Sequence, residues 1–202
     1  MSIDPIKMRR DIALESAALA AHGWMRGTAG NVSAVVGRDP LRLVVTASGL
    51  DKGNLALDDI VEVDSVGTLT DVTHHKPSAE SELHARLADL TGAAAVVHVH
   101  NVPAVLAAEI SPKGVILKDI EMLKGIGRPA HDEATIIPVV RNSQDMAELA
   151  GWVKQVYRPE VPVVIVAGHG MYAWGNTVRQ ARHFTEAADW LLQLVVARAG
   201  AR

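Results

Sequence analysis

Hydrophobic and polar positions follow two rhythms along this chain. In the first, apolar residues recur every three to four positions. From Asp4 to His22, Met8, Ile12, Ala18 and Leu19 fall at roughly helical spacing, and Gly23 sits where a helix would stop. The same rhythm predicts helices over Ser78–Leu90, Val102–Ile110, Lys118–Lys124, Ser143–Tyr157 and Thr177–Ala199, the last being the longest and most amphipathic. In the second rhythm, short β-branched runs, most of them bounded by glycine, proline or polar clusters, predict strands. These lie at Asn31–Val36, Leu41–Thr46, Ile60–Asp64, Ala94–Val99, Thr135–Val140 and Val161–Val166, and they are expected to make one sheet. Helices and strands alternate, which predicts an α/β architecture rather than a bundle or a β-sandwich. No repeat and no long linker interrupts the pattern, so residues 1–202 read as one domain.

Composition narrows the function. Hydrophobic residues make up 49% of the 202 positions and charged residues 21%, enough to bury one substantial core and to exclude a disordered chain. The net charge is -3 and the basic residues are dispersed, so no positive stripe follows a phosphate backbone and nucleic acid is not expected as a partner. Without cysteine, neither disulfides nor thiolate metal sites are available. The first residues, MSIDPIKMRRDIALES, carry charges where a signal peptide needs an apolar core, and no window approaches the ~18 apolar residues of a membrane span. A soluble cytoplasmic protein, not bound to membrane, is the expectation.

Candidate chemistry begins at Ala94-Ala95-Val96-Val97-His98-Val99-His100-Asn101. Side chains alternate along a strand, so His98 and His100 project to one side, close enough to share one ion. They stand at the carboxyl end of an expected strand, where α/β folds commonly build sites. A second strand runs into Ala167-Gly168-His169-Gly170, whose glycines allow a tight turn around a third imidazole. Three protein ligands with an open fourth position make a catalytic zinc site, whereas structural zinc is normally closed by four. Of the remaining histidines, His74 and His75 are the nearest rivals.

Two segments suit an anion: Gly27-Thr28-Ala29-Gly30-Asn31-Val32-Ser33 and Thr46-Ala47-Ser48-Gly49 combine exposed backbone N–H groups with hydroxyl and amide side chains. Ser78, expected to cap the following helix, can add its hydroxyl and the positive end of that helix. Neither a P-loop nor a G-x-G-x-x-G turn is present, so no nucleotide cofactor is indicated. Lys52 is either a point charge for the anion or a solvated lysine.

Taken in order, Gly30-Asn31-Val32-Ser33, Thr46-Ala47-Ser48-Gly49, Lys76-Pro77-Ser78-Ala79-Glu80, His98-Val99-His100 and Gly168-His169-Gly170 resemble the class II aldolase and adducin superfamily over nearly the whole chain. The run Lys118-Asp119-Ile120-Glu121-Met122-Leu123-Lys124-Gly125, with Ile137-Pro138, Asn142-Ser143-Gln144-Asp145 and Gly170-Met171-Tyr172-Ala173-Trp174-Gly175, brings the resemblance nearest to its dehydratases of phosphorylated keto-sugars. That resemblance implies a three-layer α/β/α sandwich around a mostly antiparallel sheet, in a homotetramer with sites near subunit boundaries. It implies one Zn2+ per chain on His98, His100 and His169, with Glu121 as the acid/base residue. Asn31, Ser48, Gly49 and Ser78 are assigned to the phosphate, and Lys52 and Glu80 to the substrate, Glu80 beside the metal. Ala79 departs from the second serine that aldolase relatives often carry. Read without the resemblance, Glu121 is an exposed carboxylate paired with Lys118 or Lys124. The rivals are an aldolase or epimerase on the same scaffold, which commonly uses a tyrosine proton donor, and an adducin-like module without catalysis.

Overall fold

The computed structural model describes residues 4–201; residues 1–3 and 202, which the one-domain and N-terminal readings include, lie outside the described residues. Helix α1, Pro5–Ala21, starts where Asp4 accepts from the Ile6 amide and Pro5 presets the first turn. Then come β1 (Asn31–Arg38), β2 (Leu41–Thr46), β3 (Ile60–Asp64), α2 (Ser81–Thr91), β4 (Ala95–Val99), α3 (Val102–Ile110) and β5 (Val115–Leu117). After a short 3-10 segment at Glu121–Ile126 follow β6 (Thr135–Ile137), β7 (Val139–Val140), α4 (Met146–Val156), β8 (Val163–Val166), β9 (Gly170–Gly175) and α5 (Val178–Gly200).

Seven strands form the central sheet in the order β3-β2-β1-β4-β9-β8-β7, antiparallel except for the parallel pair β7 and β8. β4 lies in the middle and is buried along its whole length, which is why its sequence is nearly all apolar. One face of the sheet, carrying Val32, Val97, Val99 and Ala173, packs with α1, α3 and α5. The other, carrying Val35, Val96, Val164 and Tyr172, packs with α2 and α4. These are the three layers expected from the resemblance. Each fully buried Val, Leu or Ile contributes roughly 1.5–3 kcal/mol, so the two apolar faces rather than surface pairs hold the layers together. No helix among the described residues is long and apolar enough to cross a membrane.

Several expected elements change. The single run Thr135–Val140 is two strands: Pro138 lacks an N–H, and on either side of it β6 pairs with β5 in a separate two-stranded sheet while β7 joins β8. The strands therefore make two sheets rather than one. The expected helix Lys118–Lys124 is instead the 3-10 segment, entered through Asp119 at φ 55 and closed by Gly127 in the left-handed region. The helix expected from Ser78 starts at Ser81, because Ser78 spends its carbonyl on the turn that receives the Ser81 amide. β5 and β9 were not expected as strands.

Candidate metal centre

Register brings the central residues of the site together. Asn31 of β1 stands directly opposite His98 of β4, and His98 directly opposite Tyr172 of β9. Directly opposed residues share a face, so an amide, an imidazole and a phenol meet above three adjacent strands on the α2 side. His100 follows β4, the β8–β9 turn delivers His169, and Glu80 precedes α2. The β8–β9 turn can approach β4 this closely only through a glycine. A Cβ on Gly170 would lie 2.1 Å from the Val99 carbonyl oxygen, and backbone on both sides would have to yield. Gly170→Ala is expected to cost about 1–3 kcal/mol or more and to weaken metal retention, because it forces the His169 turn away from His100. Thermal unfolding of the metal-free protein and metal analysis check this; two unchanged values would contradict it.

The Nε2 of His100 lies 2.9 Å from that of His98 and 3.0 Å from that of His169. Glu80 reaches 3.4 Å from both His98 Nε2 and His169 Nε2. All four donor atoms fall within 4.8 Å of one another, a group that can hold a metal ion. Nitrogens ~2.0–2.1 Å from a tetrahedral zinc are separated by about 3.3 Å, close to the spacing found. His98 Nδ1 donates to the Met171 carbonyl at 3.0 Å, which leaves the Nε2 lone pair aimed into the cluster. Burial holds His98 at a pKa of about 3 against the opposing pull of Glu80, and burial lowers His100 as well. Burial also works to raise Glu80, but His98, the hydrogen bonds from Asn31 and Tyr172, and His169 outweigh it and set Glu80 at about 2. An ionised carboxylate beside imidazoles that resist protonation leaves negative charge in a buried place. A divalent cation compensates it, so the residues fit a metal.

Behind the cluster, His84 is fully buried and shares a 2.7 Å hydrogen bond with Ser33 Oγ. Burial lowers its pKa from 6.5 to about 4, opposed by Glu80. As pH falls below about 6.5, the unfolded chain takes up protons at His84 and His98 that the folded chain refuses, so stability falls with pH. The metal-free protein is expected to lose on the order of 3 kcal/mol through His84 alone by about pH 4. Glu80, lowered from 4.5 to about 2, adds a further loss below about 4.5. A melting temperature of the metal-free protein that stays constant from pH 7 to 5 would contradict this, since the His84 and His98 terms both act in that interval.

An open cavity of about 320 Å³ covers the cluster, lined by His100, His169 and Glu80 together with Gly30, Asn31, Ser48, Gly49, Lys52 and Ser78. The expected metal and anion residues are thus brought into one site, with His98 beneath it. Asn31 Nδ2 donates to Ser78 Oγ at 2.9 Å and to Glu80 Oε2 at 2.6 Å, tying the two halves together. Two expectations are corrected. Ser78 does not cap α2, whose N-cap is Glu80 without a side-chain bond; its hydroxyl accepts from Asn31 and from the Glu80 amide. Lys52 is not solvated: it is buried and donates to the Thr28 and Leu50 carbonyls at 3.1 and 2.8 Å. Burial lowers its pKa, with Asp51 acting in the opposite sense.

Glu121 stands apart. It is exposed, bonded to Lys124 at 2.5 Å with His131 at 3.7 Å, and does not line the cavity. Lys124, ahead of His131, holds its carboxyl below the usual carboxylate range. The neighbouring Ile120, Leu123 and Ile126 pack into the core on the α5 side, opposite the face that carries His98. The rings of His74 and His75 lie against each other at a tilt of 37°, with His75 3.3 Å from Asp59, and take no part in the cluster. Sequence reasoning missed Tyr172 and Met146. Tyr172 stood in the sequence only as part of the string Gly170-Met171-Tyr172-Ala173-Trp174-Gly175 that carries the resemblance, with no role at the metal assigned to it. Met146, at the start of α4, lines the cavity.

A family model described as the class II aldolase and adducin N-terminal domain matches residues 10–196. The chain is 34% identical to a methylthioribulose-1-phosphate dehydratase of Geobacillus kaustophilus, over 96% of this chain and 93% of that one. It is 38% identical to the protein of that name from Methylococcus capsulatus, over 85% and 84%. Its fold matches the crystal structure of L-fuculose-1-phosphate aldolase from Thermus thermophilus with a TM-score of 0.76 and 24% identity, covering 97% of both chains.

Proposed function

The chain belongs to the class II aldolase and adducin N-terminal domain family, and from that premise we propose that it is a zinc-dependent hydro-lyase. Its substrate is 5-methylthioribulose 1-phosphate, dehydrated to 2,3-diketo-5-methylthiopentyl 1-phosphate in methionine salvage, and it acts as a homotetramer. The observation that carries this reading is one cavity holding both a metal-competent donor set and an anion cradle. Relatives named for this activity at 34% and 38% identity supply the substrate.

The cradle itself argues for phosphate. Lys52 is a buried cation, and among the described residues no carboxylate lies within ion-pair distance of it. A bound dianion supplies the missing countercharge, and the hydroxyls of Ser48 and Ser78 with the backbone at Gly49 supply hydrogen bonds. Asn31 then links the phosphate end to Glu80 at the metal end. When bound, the zinc ion supplies a Lewis acid that stabilises negative charge on the substrate carbonyl oxygen as the neighbouring C–H ionises. Glu121 takes the proton from C3 and returns it to the hydroxyl leaving C4. Water departs, and the enol that remains becomes the second ketone.

A Glu121 outside its own cavity requires the site to be completed by another copy. Val102, Leu106 and Ile110 form an exposed apolar stripe on α3, which starts just beyond His100, and Ile116 of β5 is exposed as well. Such a stripe at i, i+4, i+8 suits a subunit contact that brings a neighbour's Glu121 to the mouth of the metal site. The aldolase alternative lacks a donor: Tyr172 is buried on Glu80, and Tyr157 lies beside Trp174. Incubating purified protein with methylthioribulose 1-phosphate and, separately, fuculose 1-phosphate tests the reading. Loss of water from the first is expected. Release of dihydroxyacetone phosphate from the second, with the first unchanged, would make the protein an aldolase.

A further inference from the structure

We propose that Tyr172 is a positioning residue of the metal centre, its hydroxyl holding Glu80 in line with the imidazoles while its ring braces His98. The inference rests on the metal reading above and concerns what sets the geometry of that site. Tyr172 is fully buried in β9, yet its hydroxyl finds Glu80 Oε1 at 2.8 Å. That is the oxygen 3.4 Å from His169 Nε2. The other carboxylate oxygen, Oε2, receives Asn31 and faces His98. Glu80 is therefore clamped at both oxygens, by two residues that β4 register aligns on either side of His98.

The ring has a second task. It lies parallel to His98, with centroids 4.1 Å apart and planes 14° from each other, and the preceding residue, Met171, offers the carbonyl that receives His98 Nδ1–H. One short stretch of β9 thus orients both a carboxylate and an imidazole of the cluster. Core packing alone does not call for the hydroxyl, because phenylalanine fills nearly the same volume and keeps the stack. What the hydroxyl adds is a fixed Glu80. Without it the carboxylate is free to rotate, and the donor set loses the preorganisation that outer-sphere partners confer on metal sites.

The zinc-loaded protein, its Tyr172→Phe and Glu80→Ala variants and the double variant test this, with affinity read by chelator competition and geometry by the visible spectrum of the cobalt(II)-substituted forms. Tyr172→Phe is expected to weaken zinc about tenfold, to change the cobalt bands and to lower kcat more than it changes KM. In the Glu80→Ala background the same change is expected to alter affinity by less than about twofold, because the hydroxyl no longer has anything to hold. Wild-type affinity and spectrum in Tyr172→Phe would overturn the proposal, as would an equal loss in both backgrounds. A wild-type protein that binds no zinc would overturn the metal reading beneath it, a result distinguishable from either.

Discussion

His100→Ala is expected to leave a folded protein that no longer retains its metal and has lost at least about three orders of magnitude in turnover. His100 is the clean position for this test, because it lies at the exposed rim of the cluster whereas His98 is wholly buried. Its Nε2 stands between those of His98 and His169, within 3.0 Å of both, so its removal takes out the middle of the donor set. A metal acting as Lewis acid is worth several kcal/mol of transition-state stabilisation, and each 1.4 kcal/mol or so is tenfold in rate. Metal content falling from about one ion per chain to nearly none, with an unchanged circular dichroism spectrum, is the expected pair of results. Undiminished metal in this variant would remove His100 from the donor set.

Glu121→Gln is expected to do the reverse: to keep the metal and lose turnover by about 10²–10⁴, the usual worth of a general acid–base group. The position of Glu121 adds a sharper test. It is exposed beside Lys124, and the residues around it pack on the sheet face opposite His98. If a neighbouring subunit supplies it, each defective chain should compensate for the other. Co-expressed His100→Ala and Glu121→Gln chains are expected to show roughly a quarter of wild-type activity, the share of sites that randomly draw intact histidines from one chain and intact Glu121 from another. Mixed oligomers as inactive as the separate variants would require Glu121 to act within its own chain or not at all. Full activity of Glu121→Gln alone would exclude it from the mechanism.

Local patterning made most elements legible. α3 has the bounds that its sequence predicts, β2 and β3 likewise, and α5 differs by a residue at each end. The failures have two causes. The break at Pro138 follows from a residue that lacks an N–H and was legible in the sequence, whereas the 3-10 segment at Glu121–Ile126 and the strand β9 depend on what lies alongside, and a window of local sequence carries no information about its neighbours. The same holds for single residues. Lys52 reads as solvated because lysine is seldom buried, but its turn folds against the cavity and takes the ammonium inside, onto the Thr28 and Leu50 carbonyls.

What the sequence determined by itself was the chemistry available: two imidazoles two residues apart at the end of an apolar strand, a third between glycines, hydroxyl-rich turns, no thiols. That much follows from residue identity and from the two-residue period of a strand. Only the tertiary structure decided which of these groups meet. Antiparallel register set Asn31, His98 and Tyr172 side by side, from segments more than 140 positions apart at the extremes, and placed Glu80 among the imidazoles. It also carried Glu121 to the other side of the sheet. The reason is that strand pairing and layer packing are non-local: they bring together residues whose separation along the chain says nothing of their distance in space.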